Sequence, residues 1–170
     1  MTYEFSPESY ELLLRTKRQG RAHDVTLFIQ EKGRIAVIRK PGYPEGVYRT
    51  PSGGVERGED FARGAAREAL EETGLIVELE RYILRIRAIL TQGAQRTSWT
   101  THVFSARARG GEPIPKDTRE IAEARFATIE ELRGPLHRAL MASGSGGLAY
   151  RAALTQAALD EMERLGLIEP

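Results

Sequence analysis

The sequence predicts an α/β fold on one domain, and three observations carry that expectation. Stretches rich in β-branched and aromatic residues at 24–30, 35–38, 75–90 and 97–108 read as strands. Between the second and third of these, residues 60–73 are rich in Ala and Leu, contain no Pro and stop at Gly74, the pattern of a helix with its C-cap. Further on, Leu148, Ala152, Thr155, Leu159 and Met162 recur at spacings of three and four, which predicts an amphipathic C-terminal helix over 148–165. At 170 residues, 1–170 suits one domain with a single sizeable core.

The remaining elements follow in order. Ser6 can cap a helix that has Pro7 at its first position, with Phe5 set to staple against Tyr10, so a short helix is expected over 7–18. A turn signal at 31–33 joins two apolar runs into a β-hairpin. Pro41, Gly42, Pro44 and Gly46 make 40–46 a loop, followed by an extended piece at 47–50 and a loop over 51–58. The two long strands flank a turn at 91–96 and read as an antiparallel meander. After a Gly/Pro loop at 110–117 comes a short strand at 124–127, then a capping box, Thr128 to Glu131, that opens a short helix. Residues 135–141 are helical as well. The segment SGSGG at 143–147 can cradle a phosphate through backbone amides or act as a flexible connector; the connector is preferred, because no strand precedes it and no Lys follows it.

Composition removes several functions. Cysteine is absent, which excludes disulfides, thiolate nucleophiles and Cys-ligated metals. The formal net charge of +1 supplies no field for nonspecific nucleic-acid or membrane binding. The apolar runs fall far short of the roughly 20 residues that a spanning helix needs. Residues 1–7 lack a basic and apolar leader, so a cytoplasmic protein is expected. His23, His102 and His137 are scattered without an HxxxH pair, and none is assigned to a metal.

The chemistry is concentrated in GGVERGEDFARGAAREALEETGL, residues 53–75. Glu68, Glu71 and Glu72 stand at i, i+3 and i+4, on one face of the expected helix and within reach of a common ion. The spacing alone fits two readings, a solvated acidic helix face or a carboxylate cluster that needs a cation. If a cation is present, all-oxygen ligation selects a hard one, Mg2+ first and Mn2+ second.

This segment resembles the Nudix box, GX5EX7REUXEEXGU with U a bulky aliphatic. Gly53, Glu59, Arg67, Glu68, Glu71, Glu72, Gly74 and Leu75 fall in register, and the departure is Ala69, where the family usually carries a larger aliphatic. The resemblance implies a Nudix-type α/β/α sandwich with a mixed β-sheet, in which the box forms a loop, a helix and a loop. It also implies metal-dependent hydrolysis of a diphosphate linkage in a nucleoside diphosphate derivative or a nucleoside triphosphate. Glu71 and Glu72 would then be direct metal ligands, Glu68 a ligand or the group that orients the attacking water, and Gly53 a carbonyl donor. Arg67 would pair with Glu59 to hold helix and loop together.

A downstream acid often completes such a site. Glu120 sits in a loop before the last expected strand, with Glu123 the competing choice. Arg39, Lys40 and Arg49, just before the box, are candidates to hold the leaving phosphate or else surface charges. Tyr48 is a candidate for base stacking, whereas Trp99 and Phe126 are read as core. Residues 90–92 carry neither the Pro of some ADP-ribose pyrophosphatases nor the Tyr of some diadenosine polyphosphate hydrolases, so the substrate resolves only to its class. The alternative is a nucleotide-sensing module of the same family without turnover, although the box carboxylates are intact. The expected partner is a small nucleotide-like diphosphate, with no stable nucleic acid and no membrane, and the last helix could pair with a second copy as a homodimer.

Overall fold

The computed structural model describes residues 2–20 and 23–168; Met1, where the reading of the N-terminus begins, lies outside them, as do the last two of the 170 positions assigned to the domain. In chain order the elements are β1 (Thr2–Glu4), α1 (Pro7–Arg18), β2 (His23–Glu31), β3 (Arg34–Arg39), β4 (Ser52–Gly54), α2 (Phe61–Thr73), β5 (Ile76–Gln92), β6 (Gln95–Gly110), β7 (Glu123–Thr128), α3 (Ile129–Arg133), α4 (Pro135–Ala142) and α5 (Gly146–Arg164). The strands form one mixed sheet in the order β1-β5-β6-β2-β3-β7, with β4 paired to β2 off that path.

Strand β2 organises the sheet, and its sequence shows why. Its residues are apolar or buried on both faces, as a central strand with a parallel neighbour requires. Val25, Leu27 and Ile29 face a core completed by Ala65 and Ala69 of α2, while Phe28 faces the opposite core, which α5 supplies with Leu154, Ala158 and Leu159. Helices thus cover both faces, and the layers are α/β/α. Ala69 is fully buried beneath α2, so the small residue at that box position lies at the helix-to-sheet contact.

The expected hairpin is real but short. Strands β2 and β3 pair only at Gln30–Ile35 and Glu31–Arg34, beyond which β2 pairs in parallel with β6 from His23 to Gln30 and β3 pairs with β7. Two strands go beyond the expectation: β1, parallel to β5, and β4, antiparallel to β2 within the stretch read as a loop. The long β5–β6 pair, the capped α2 and the capping box at Thr128 stand where the sequence places them.

Helix α5 buries Tyr150, Leu154 and Ala158 in addition to the expected stripe. Of that stripe, Leu148 and Ala152 pack into one of the chain's own cores and Leu159 and Met162 into another. The SGSGG segment is a connector with a cap: Ser145 Oγ accepts the Leu148 N–H, and Gly146 passes so close to the Glu4 carbonyl that no Cβ fits. No helix among the described residues is long and apolar enough to cross a membrane.

Candidate active site

Five segments converge on a cleft of about 350 Å³: α1 with Thr16, the start of the loop after β3 with Lys40, strand β4 and the residues after it, one face of α2, and the loop before β7. Helix α2 is started by Asp60, whose side chain accepts the Arg63 N–H, and stopped by Gly74 at φ 75°, where an added Cβ would lie 2.1 Å from the Ile114 carbonyl oxygen. The helical repeat places Glu68, Glu71 and Glu72 along the cleft. The backbone N–H groups of Lys116 and Asp117 both donate to the Glu71 carbonyl, and this holds the incoming loop, with Glu120, against the end of α2.

Arg67 is the hub of the acidic face. Its Nε and Nη2 donate to the two carboxylate oxygens of Glu59 at 3.0 and 2.9 Å, Nη2 also reaches the Gly54 carbonyl at 3.0 Å, and Nη1 donates to Glu68 at 2.7 Å and Glu71 at 3.1 Å. One planar guanidinium therefore ties the box loop to the helix. The hydrogen bonds to Glu59 are the main reason that the Arg67 pKa is raised and the Glu59 pKa lowered.

Glu68 is the perturbed acid. Burial pushes its carboxyl up to about 7, the Arg67 hydrogen bond pulls the other way, and neighbouring Glu72 and Glu71 push it further up. Its carboxylate lies where a side chain on residue 53 would be: a Cβ on Gly53 would sit 1.9 Å from the Glu68 carboxyl carbon. Glu72 is buried too. It accepts the Ser52 backbone N–H at 2.7 Å and is faced by Arg49 at 3.3 Å and Lys40 at 3.8 Å. Glu120 is exposed at the cleft mouth, with Lys40 at 3.6 Å from it.

The other candidates separate from this group. Glu123 accepts the Tyr48 hydroxyl at 2.7 Å and faces Arg39 at 3.5 Å on the β3–β7 pair, so between the two downstream acids it is Glu120 that lines the cleft. Tyr48, the candidate for base stacking, has the Arg125 guanidinium over its ring at 4.6 Å and packs on the core. Arg39 is likewise engaged away from the cleft. Arg49 is no surface charge: it is buried beneath Glu72 and donates to Ser52 and the Thr50 carbonyl. Trp99 is buried, as read, while Phe126 is partly buried at the edge of the α2-side core, with Arg34 over its ring.

Sequence reading missed Ser52 and Asp117, which line the cleft; Asp117 lay within the same DTRE run as Glu120. It also treated His23 and His102 as scattered, yet their rings approach to 3.0 Å, and Tyr82 meets His102 at 2.9 Å, because β2 and β6 pair side by side.

Among the described residues no three acidic or histidine side chains converge on one point as they stand. The ion pairs bear on this: the four candidate-ligand carboxylates are turned to basic groups, Glu68 and Glu71 to Arg67, Glu72 to Arg49 and Lys40, and Glu120 to Lys40. The donor set is all oxygen and clustered, and it already recruits positive charge, so its chemistry fits a hard divalent cation.

A family model described as NUDIX domain matches residues 19–145. The chain is 30% identical over 125 residues to the NAD-capped RNA hydrolase NudC of Vibrio cholerae, covering 69% of this chain and 43% of that protein. It is 34% identical over 83 residues to the 8-oxo-(d)GTP phosphatase of Mycolicibacterium smegmatis, covering 49% of this chain and 24% of that one. The chain thus spans less than half the length of these curated relatives. A solved NUDIX hydrolase from Nitrosomonas europaea shares the fold with a TM-score of 0.60 at 21% identity, over 81% of this chain and 88% of that one.

Proposed function

The chain belongs to the Nudix family, and on that premise we propose that it is a metal-dependent pyrophosphohydrolase acting on a nucleoside diphosphate derivative or a nucleoside triphosphate. One observation carries the reading: Glu68, Glu71 and Glu72 of α2 line one cleft together with Glu120, beside the side-chain-free Gly53. The names of the relatives, an NAD-capped RNA hydrolase and an 8-oxo-(d)GTP phosphatase, both refer to nucleotides and support the substrate class.

Glu68, Glu71, Glu72 and Glu120, with the Gly53 carbonyl, would hold the ion, Mg2+ before Mn2+. A divalent cation there supplies neutralisation of diphosphate oxygens and acidification of a water. The chain's own residues do the rest. Arg67, fixed by Glu59 and Gly54, sets the position of Glu68 and Glu71 relative to the box loop. Ser52 orients Glu72 through its backbone N–H. Lys40 pairs with Glu72 and Glu120 at 3.8 and 3.6 Å; once those carboxylates have another cation, its ammonium is available to a substrate phosphate.

The test is incubation with Mg2+ and a panel of nucleoside triphosphates, ADP-ribose, NADH, diadenosine polyphosphates and coenzyme A, with phosphate products measured. Release of a monophosphate that stops on chelation supports the proposal. Nucleotide binding with no turnover across the panel overturns it in favour of a sensor.

A further inference from the structure

Arg85 and Arg87 are exposed on β5, two residues apart and so on one face of the strand. The sheet register sets His102 and Thr100 of β6 opposite them, and His23 of β2 beside Thr100. Ser98 is the next residue along that face, whereas Trp99 and Thr101 alternate with it, turn the other way and bond to Asp24. From α1, Lys17 Nζ donates to the Thr97 hydroxyl at 2.7 Å and the Ser98 carbonyl at 3.0 Å. Three cations, an imidazole and two hydroxyls thus line a pocket of about 310 Å³, and among the described residues no carboxylate lines it.

Like charges gathered on one sheet face repel each other. Elsewhere on the same β5–β6 ribbon this is offset: Arg107 pairs with Glu80 and Arg109 with Glu78. Among the described residues Arg85 and Arg87 have no hydrogen bond or ion pair, so their donors are open to a ligand. His23 adds a further donor through a relay. Its Nδ1 lies 3.0 Å from His102 Nε2, and the Tyr82 hydroxyl lies 2.9 Å from His102 Nδ1. With Tyr82 donating, His102 carries its proton on Nε2 and shares it with His23 Nδ1, which leaves the His23 proton on Nε2. The neutral imidazole then offers that N–H without needing a charge. Phe61, the first residue of α2, stacks on the His102 ring at 3.8 Å and fixes its plane.

We infer that this pocket binds a phosphate group, either as free phosphate or as the phosphate of a monoester. Two guanidinium forks, an ammonium, an imidazole N–H and two hydroxyls supply donors to a compact oxyanion, and its charge offsets the repulsion among the cations. A neutral ligand would leave that repulsion in place. The site is separate from the acid cleft, with which it shares no residue; the two meet at the end of α1, where Thr16 lines the cleft and Lys17 the pocket. The inference therefore stands apart from the hydrolase reading.

The experiment is calorimetric titration of the intact protein with inorganic phosphate and, separately, with AMP, at constant ionic strength and in excess chelator, so that no metal draws phosphate to the acid cleft. Both titrations are repeated with the double variant Arg85→Gln, Arg87→Gln and with Lys40→Gln, which alters the cleft instead. Both arginines are exposed, so the fold should be kept, and melting temperatures on the same preparations check it. We expect saturable binding by the wild type, unchanged in Lys40→Gln and weakened by about tenfold or more in the double variant, the scale of lost hydrogen bonds to a charged group. AMP bound no more tightly than phosphate identifies the free anion as the ligand. Tighter AMP binding that the double variant loses identifies the monoester, and either result supports the site. Absence of saturable binding by both ligands, or binding that the double variant retains, overturns it.

Discussion

Arg49 and Glu72 meet at 3.3 Å with both side chains almost wholly buried. Removing one member of such a pair leaves the other charged in a poorly solvated place, at a cost of about 3–5 kcal/mol. Arg49→Ala should therefore lower stability by that order in metal-free urea denaturation, and added Mg2+ should recover more stability in the variant than in the wild type. A loss well under about 1 kcal/mol would mean that Ser52 and Lys40 already satisfy Glu72.

Gly53→Ala addresses the approach of Glu68 to the box loop. The obstacle to a Cβ is the flexible end of the Glu68 side chain, not backbone, so the fold should survive while the carboxylate is displaced. We expect a melting temperature close to the wild type and a large loss of turnover, measured on the same preparation. Wild-type kcat in Gly53→Ala would show that Glu68 does not need its present place.

The two parallel hydrogen bonds from Arg67 to Glu59 should behave as one unit. In a double-mutant cycle with Arg67→Ala and Glu59→Ala, the coupling energy should be about 1.5–3 kcal/mol, the range for hydrogen bonds to charged groups. Arg67→Lys keeps the charge but cannot reproduce the fork, and it should lose activity nearly as Arg67→Ala does. Additive single mutants would contradict the clasp.

Glu68, raised from an ordinary value of 4.5 to about 7, gives a pH dependence of defined sign. Between those values the folded protein keeps a proton that the unfolded chain has released. Metal-free stability from this group is therefore greatest below 4.5 and lost as pH rises to about 7. Relative to Glu68→Gln, the wild type should lose stability across that window and run parallel to the variant outside it. Divalent-metal affinity should change in the opposite sense, rising with pH up to about 7, because the ion competes with the proton. Calorimetry and metal titration at several pH values check both slopes.

How far the sequence was legible depended on the range of the forces involved. Helix α2 was readable because its Ala- and Leu-rich run without Pro stops at Gly74, a local cap signal, and so was the start of α3, because its capping box spans four residues. Strands β1 and β4 were not: three residues such as Ser52–Gly54 carry no period, and their pairing is with distant strands. The shortness of the hairpin had the same origin, since the parallel register of β2 with β6 leaves no mark in the local sequence. At the site, the box acids share one helix and were visible as a spacing. The burial of Arg49, the shielding of Tyr48 by Arg125 and the choice of Glu120 over Glu123 depended on how β3, β7 and their loops fold together.

The most direct measurement is release of monophosphate from a nucleoside diphosphate derivative by the wild type and Glu72→Gln side by side, in excess Mg2+ and after chelation. We expect turnover by the wild type with metal only, and a loss in Glu72→Gln greater than the roughly 10- to 100-fold typical of outer-shell partners. Full turnover by Glu72→Gln, or wild-type turnover that survives chelation, would contradict a metal centre at Glu72.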